Sequence, residues 1–163
     1  MLPKMIISAD CKKMLDEAVH SELYASNLYK HIANQVQRLG YLGTAKFFLK
    51  ESADELAHYQ RHVDFQNDVG TVAKVPMIEA MNDTIETLSD AIETGYETEL
   101  ELLQNYQDWY RQAADDPIVQ QFLLQFLEIQ RRSVGEYGDL LARIQLVDQD
   151  KAGMLLIDQE LGG

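Results

Sequence analysis

The sequence predicts an all-α fold: four long helices in an antiparallel bundle, a long crossover between the second and third, and a short fifth helix. Three observations carry this. Apolar residues recur at intervals of three and four along most of the chain, the spacing of a helix that buries one face. No stretch alternates with period two for long enough to argue a strand. The three prolines and nine glycines fall mostly between the periodic segments, where they separate helices.

The first helix is expected from about Ala9 to Arg38, with Ser8 as N-cap and Gly40 closing it. Its apolar stripe is Leu15, Ala18, Ala25, Tyr29, Ile32 and Val36. The second runs from about Leu42 to Asp68 and stops near Gly70. The third spans Thr87 to Ala113 with Leu88, Ile92, Gly95, Leu102, Tyr106, Trp109 and Ala113 inward, and Asp115-Asp116-Pro117 ends it. Proline suits the first turn of the next helix. That fourth helix covers Ile118 to Leu146, with Phe126, Tyr137, Leu140 and Ile144 inward. The fifth is Ala152 to Leu161. Short links pair the first helix with the second and the third with the fourth as antiparallel neighbours. The connection from about Asn67 to Glu86 is long enough to need a task, and crossing the length of a bundle is the natural one.

The length of 163 residues suits one domain, residues 1–163. A single cysteine, Cys11, excludes an intrachain disulfide and a cysteine-built zinc site, and it is expected to pack. The N-terminus lacks the layout of a signal peptide. No apolar run reaches the ~20 residues that span a bilayer. A cytoplasmic protein without a membrane partner is expected. The net charge of −13 argues against nucleic acid as a partner and suits one that attracts cations.

The informative positions are those where a polar residue interrupts an apolar stripe. Glu22 lies between Ala18 and Ala25, and Glu99 between Gly95 and Leu102. In the second helix Ala45 and Phe48 lead to Ser52, Glu55 and His58; in the fourth, Phe126 leads to Gln130 and Ser133. Each long helix therefore turns a polar group inward. Buried carboxylates pair, take up a proton or bind metal, and no Lys or Arg falls on these stripes to neutralise them. A pair of divalent metal ions resolves the conflict. Glu55-Leu56-Ala57-His58 is the Glu-x-x-His spacing that places a carboxylate and an imidazole on one turn of a di-iron bundle. Carboxylate oxygens with one imidazole suit iron better than structural zinc. His31 and His62 are expected to be solvated or structural, and Trp109 to lie in the core.

These residues resemble the ferritin family from about Met14 to the end. Ser21-Glu22-Leu23-Tyr24-Ala25-Ser26-Asn27-Leu28-Tyr29 is similar to the family's first-helix signature, and Asp54-Glu55-Leu56-Ala57-His58 to its second-helix motif. Glu136-Tyr137-Gly138-Asp139 resembles the fourth helix of heavy-chain-type subunits, and Leu155 to Leu161 the short closing helix.

The resemblance implies a ferritin-like bundle whose helices hold an intrasubunit di-iron centre. In it Glu22 and His58 hold one iron, Glu55 bridges, Glu99 binds the other, and Gln130 hydrogen-bonds near the second iron. Tyr29 sits beside the site and can donate an electron. It also implies Fe(II) oxidation by O₂ or H₂O₂, a ferric mineral and a homo-oligomeric shell of twenty-four subunits. Leu56 replaces the methionine that binds haem in bacterioferritins, so no haem is expected. Of the positions matching a third iron site, Asp54, Ile129, Arg132 and Ser133, only Asp54 can ligate. The fourth helix lacks the second Glu-x-x-His of bacterioferritins and rubrerythrins. The alternative is a di-iron bundle enzyme, peroxide-reducing or oxygen-sensing, that stores no iron; a further one is a non-catalytic shell.

Overall fold

In the computed structural model, which describes residues 1–163, the chain forms five helices and no strand. They are α1 (Ala9–Leu39), α2 (Leu42–Asp68), α3 (Leu88–Gln112), α4 (Pro117–Val147) and α5 (Lys151–Leu161). Every expected boundary is met within about one residue, and several ends carry their own chemical stop signal. The Ser8 hydroxyl accepts from the Cys11 amide at 3.1 Å to open α1, and Gly40 closes it in the left-handed region at φ 98°. Thr87 opens α3 with a reciprocal box: its hydroxyl accepts from Asp90 N, while the Asp90 carboxylate accepts from Thr87 N. Pro117 stands in the first turn of α4.

α1 packs along α2 and α3 along α4, and the segment 69–87 crosses the bundle between the two pairs. The crossover is tied to α1: Gln35 donates to the Asp83 carbonyl and accepts from the Ile85 amide, and His31 meets the same carbonyl at 2.8 Å. His31 is thus structural. No helix is long and apolar enough to cross a membrane.

Two apolar clusters fill the bundle. One joins Leu28–Val36, Ala45–Phe48, Ile85–Ile92 and Tyr137–Ile144; the other joins Cys11–Ala18, Tyr106–Ala113 and Val119–Phe126. Along each helix the predicted polar residues, Glu22, Glu55 with His58, Glu99 and Gln130, fall between the two clusters. The clusters come in opposite order along α1 and α2, and along α3 and α4, because the paired helices are antiparallel. The polar residues therefore form a layer across the middle of the bundle. Beside it, Ser26 and Ser52 hydroxyls each donate to the other's carbonyl at 2.8 Å, locking α1 to α2. On α3, Gly95 leaves room for a ring: a β-carbon there would stand 2.3 Å from Cε1 of Tyr137.

The short α5 packs on α2 and α4. Its Asp158 carboxylate caps α2 from outside that helix, accepting from Thr44 N at 2.6 Å, Thr44 Oγ1 at 2.7 Å and Gly43 N at 3.2 Å. Tyr41, the residue that precedes α2, supplies no side-chain cap of its own. Asp158→Ala removes three bonds to one buried anion and is expected to destabilise the fold by about 1–3 kcal/mol. Urea unfolding checks it, and a midpoint unchanged from wild type contradicts the cap.

Candidate metal centre

The polar layer begins with positions that helical spacing turns inward. Glu22, Glu99 and Gln130 are fully buried, Glu55 is 3% exposed and His58 is 8% exposed. Glu22, Glu55 and His58 each offer one ligand atom within 4.8 Å of the others, the geometry of a shared metal ion. His58 Nδ1 lies 3.3 Å from Glu55 Oε2 and 3.6 Å from Glu22 Oε2. No lysine or arginine pairs with any of them.

The fourth predicted ligand, Glu99, is buried in the same layer but is not in that closest group. Two donors hold its oxygens instead. The Tyr29 hydroxyl donates to Oε1, and Gln130 Nε2 donates to Oε2 at 2.7 Å. Tyr29 and Gln130 thus meet the layer through Glu99. Asp54, the remaining sequence candidate, is exposed and pairs with Lys50 at 2.8 Å, outside the cluster.

The electrostatics report how crowded with negative charge this layer is. Burial, then repulsion from Glu22, lifts Glu55 well above the usual carboxylate range. Burial also raises Glu22, but the proton held by Glu55 and the approach of His58 outweigh it and hold Glu22 at about 2. Burial lifts Glu99 to about 7, against the donors Tyr29 and Gln130, which favour its ionised form. Without metal, the layer keeps itself tolerable by holding protons. Glu22 Oε2 and Gln130 Oε1 are buried with no hydrogen-bond partner, and an orphaned carboxylate oxygen beside an imidazole is a ready metal ligand. Three carboxylates and one imidazole form the hard, anionic donor set that divalent iron accepts.

Three residues were not assigned to the site from the sequence. Glu51, one turn before Glu55, is raised to about 7 by burial and then by Glu99. Its spacing from Phe48 and Glu55 was the signal. His62 is fully buried and meets the Tyr106 hydroxyl at 2.7 Å, and the Tyr106 hydroxyl donates to Glu22 Oε1. Tyr106 was legible as core, while its polar partners were not. Cys11 and Trp109 are core residues as expected.

An all-α bundle with a carboxylate–histidine cluster in mid-core belongs to the class of proteins that hold metal between helices. The family model for ferritin-like domains matches residues 12–147, and the chain belongs to the ferritin family. Among its relatives, a probable bacterial non-haem ferritin-like protein of Haemophilus influenzae is 28% identical over 159 residues, 96% of each chain. A ferritin of Pacifastacus leniusculus is 28% identical over 158 residues, covering 93% of this chain and 87% of that one. The fold matches the open pore ferritin from the archaeon Archaeoglobus fulgidus with a TM-score of 0.93 at 23% identity, covering 96% of this chain and 97% of that one.

Burial favours the protonated forms of Glu55 and Glu99 in the metal-free layer, so a metal ion held there would displace protons. Between pH 5 and 8 the affinity for a redox-inert ion such as Zn(II) is expected to rise with pH, with roughly one proton or more released per subunit. Calorimetry in buffers of different ionisation enthalpy counts those protons. Glu99→Gln is expected to reduce the count, and equal counts would show that Glu99 does not take part.

Proposed function

We propose that this chain is a ferroxidase and iron-storage subunit. It oxidises Fe(II) with O₂ or H₂O₂ at an intrasubunit di-iron site and delivers ferric iron to a mineral inside an oligomeric shell. The observation that carries the reading is the buried Glu22–Glu55–His58 cluster, without a basic residue, beside a fourth carboxylate on α3. Membership of the ferritin family supplies the substrate class.

Fe(II) is the substrate. Glu22 and His58 hold the first ion, Glu55 bridges, and Glu99 turns to the second as the ions arrive. Two reducing ions a few ångströms apart bind one oxidant molecule between them and supply an electron each. The protein's part is to fix the carboxylates, take up or release their protons, and exclude bulk water. Gln130, with one amide oxygen free, holds a water or oxygen species near Glu99. Tyr29, bonded to Glu99, is placed to give one electron. Asp54 and Glu51 lie on the same helix as Glu55 and offer carboxylates to ferric iron leaving the site. No haem is required, since Leu56 offers no iron ligand.

Assembly into a homo-oligomeric cage, with twenty-four copies as the working number, agrees with the apolar side chains left exposed. Leu42, Leu49, Leu56, Val72, Val75, Met77, Leu155 and Leu156 are each more than two-fifths exposed in the single subunit. Contiguous exposed apolar surface marks protein interfaces, and several of these residues lie on the crossover and α5, near one another in sequence. The compartment proposed is the cytoplasm.

Stopped-flow mixing of metal-free protein with aerobic Fe(II) tests the reading. A fast ferric absorbance saturating near two irons per subunit is expected, then slower growth as mineral forms. Glu55→Ala is expected to lose the fast phase by more than the roughly 10–100-fold typical of an outer-shell change. A variant with wild-type rates would refute the site. A fast phase with no later uptake would instead identify a di-iron enzyme that stores nothing.

A further inference from the structure

The spacing of the polar layer's residues on α1 and α2 recurs on α3 and α4. Tyr29 follows Glu22 by seven residues on α1, and Tyr106 follows Glu99 by seven on α3. Each tyrosine donates its hydroxyl to the glutamate of the other helix, Tyr29 to Glu99 Oε1 and Tyr106 to Glu22 Oε1. The second helices continue the pattern. His62 follows Glu55 by seven, and Tyr137 follows Gln130 by seven. The second helices differ in residue type: Tyr106 has an imidazole behind it, His62 Nε2 at 2.7 Å, whereas the position that matches His62 on α4 is Tyr137, which offers no imidazole.

Packing immobilises this second phenol. Tyr106 is 0% exposed, stacks on Phe126 with ring centres 5.0 Å apart, and meets Trp109 edge-on at 5.0 Å. His62 is stacked against Phe126 at 4.5 Å. A core this apolar does not need a hydroxyl–imidazole–carboxylate chain to be stable. Replacing such a network with apolar groups of the same shape is often neutral or stabilising. The proton positions follow from counting. A phenol has one hydrogen, and Tyr106 gives it to Glu22, so His62 must donate its Nε2–H to the phenol oxygen. Its Nδ1 is then bare, in accord with that atom having no partner.

We infer that Tyr106, held by His62, is a second one-electron donor to the iron site, the counterpart of Tyr29. A buried phenol gives up an electron easily only if its proton leaves at the same time, since a cation radical in an apolar core is costly. The bond to Glu22 provides that exit toward the reacting oxygen. The His62 N–H remains on the phenoxyl oxygen and stabilises the radical. This rests on the ferroxidase reading above, with dioxygen as the oxidant.

The electrons balance. Reducing one O₂ to two waters breaks the O–O bond and takes four electrons and four protons. Two Fe(II) supply two electrons and become Fe(III). Tyr29 and Tyr106 supply one electron and one proton each and become neutral phenoxyl radicals. The other two protons come from water, and the two hydroxide ions left behind stay with the Fe(III) as the ferric product hydrolyses. Each radical then recovers an electron from a later Fe(II) and a proton from water. The site thereby completes the reduction of O₂ without releasing peroxide.

Freeze-quench high-field EPR of the metal-free protein mixed with Fe(II) and O₂ tests the inference in Tyr29→Phe, where Glu22 and Tyr106 are untouched. A tyrosyl radical is expected to persist, with the lowered gx of a hydrogen-bonded phenoxyl oxygen. In Tyr29→Phe/His62→Leu that signal is expected to shift to the unbonded gx or to vanish. No tyrosyl radical in Tyr29→Phe, or a spectrum that His62→Leu leaves unchanged, overturns the assignment. Ferric absorbance followed in the same samples separates the two claims. Rapid oxidation without the His62-dependent radical overturns only Tyr106, and no rapid oxidation in wild type overturns the ferroxidase reading as well.

Discussion

Carboxylates buried without a counter-charge are the constraint on which this structure turns. Desolvating one ionised carboxyl in an apolar core costs several kcal/mol even after the protein relaxes. Here Glu22, Glu55 and Glu99 share one layer and no lysine or arginine approaches them. The metal-free chain tolerates them by holding protons on Glu55 and Glu99 and by aiming Tyr29, Tyr106 and Gln130 at their oxygens. Those donors leave Glu22 Oε2 without a hydrogen-bond partner. A divalent cation held there would neutralise what protons neutralise in its absence.

The bundle is arranged around that layer. Antiparallel pairing of α1 with α2 and α3 with α4 brings four mid-helix positions to one level, and apolar clusters above and below exclude water from it. Gly95 admits the Tyr137 ring near the layer, and the Ser26–Ser52 exchange fixes α1 against α2 beside it. Asp158, on the short last helix, secures the start of α2, the helix that carries both Glu55 and His58. Mutual exchange of tyrosine hydroxyls between α1 and α3 then couples the two halves, so that moving one outer carboxylate disturbs the phenol of the opposite helix.

Much of this was legible in the sequence because helical periodicity reports which face a residue occupies. A glutamate in an apolar stripe, as Glu22 and Glu99 are, can be read inward without coordinates. Helix ends were readable for a similar reason, since Ser8, Gly40 and Pro117 act on their own few neighbours. Periodicity does not say which residue on another helix a side chain meets. Tyr106 therefore read as core, and its place between Glu22 and His62 emerged only in three dimensions. Glu51 went unassigned because it stands at the edge of the stripe. Asp54 lies one residue outside the buried face, which puts it in solvent with Lys50.

On the proposed function the mid-bundle carboxylates hold a pair of iron ions, and anomalous diffraction at the iron edge, from crystals soaked anaerobically in Fe(II), would locate them. Two peaks per subunit are expected, one between Glu22, Glu55 and His58 and one between Glu55 and Glu99. Iron found only on surface carboxylates, with the buried layer empty, would contradict that reading.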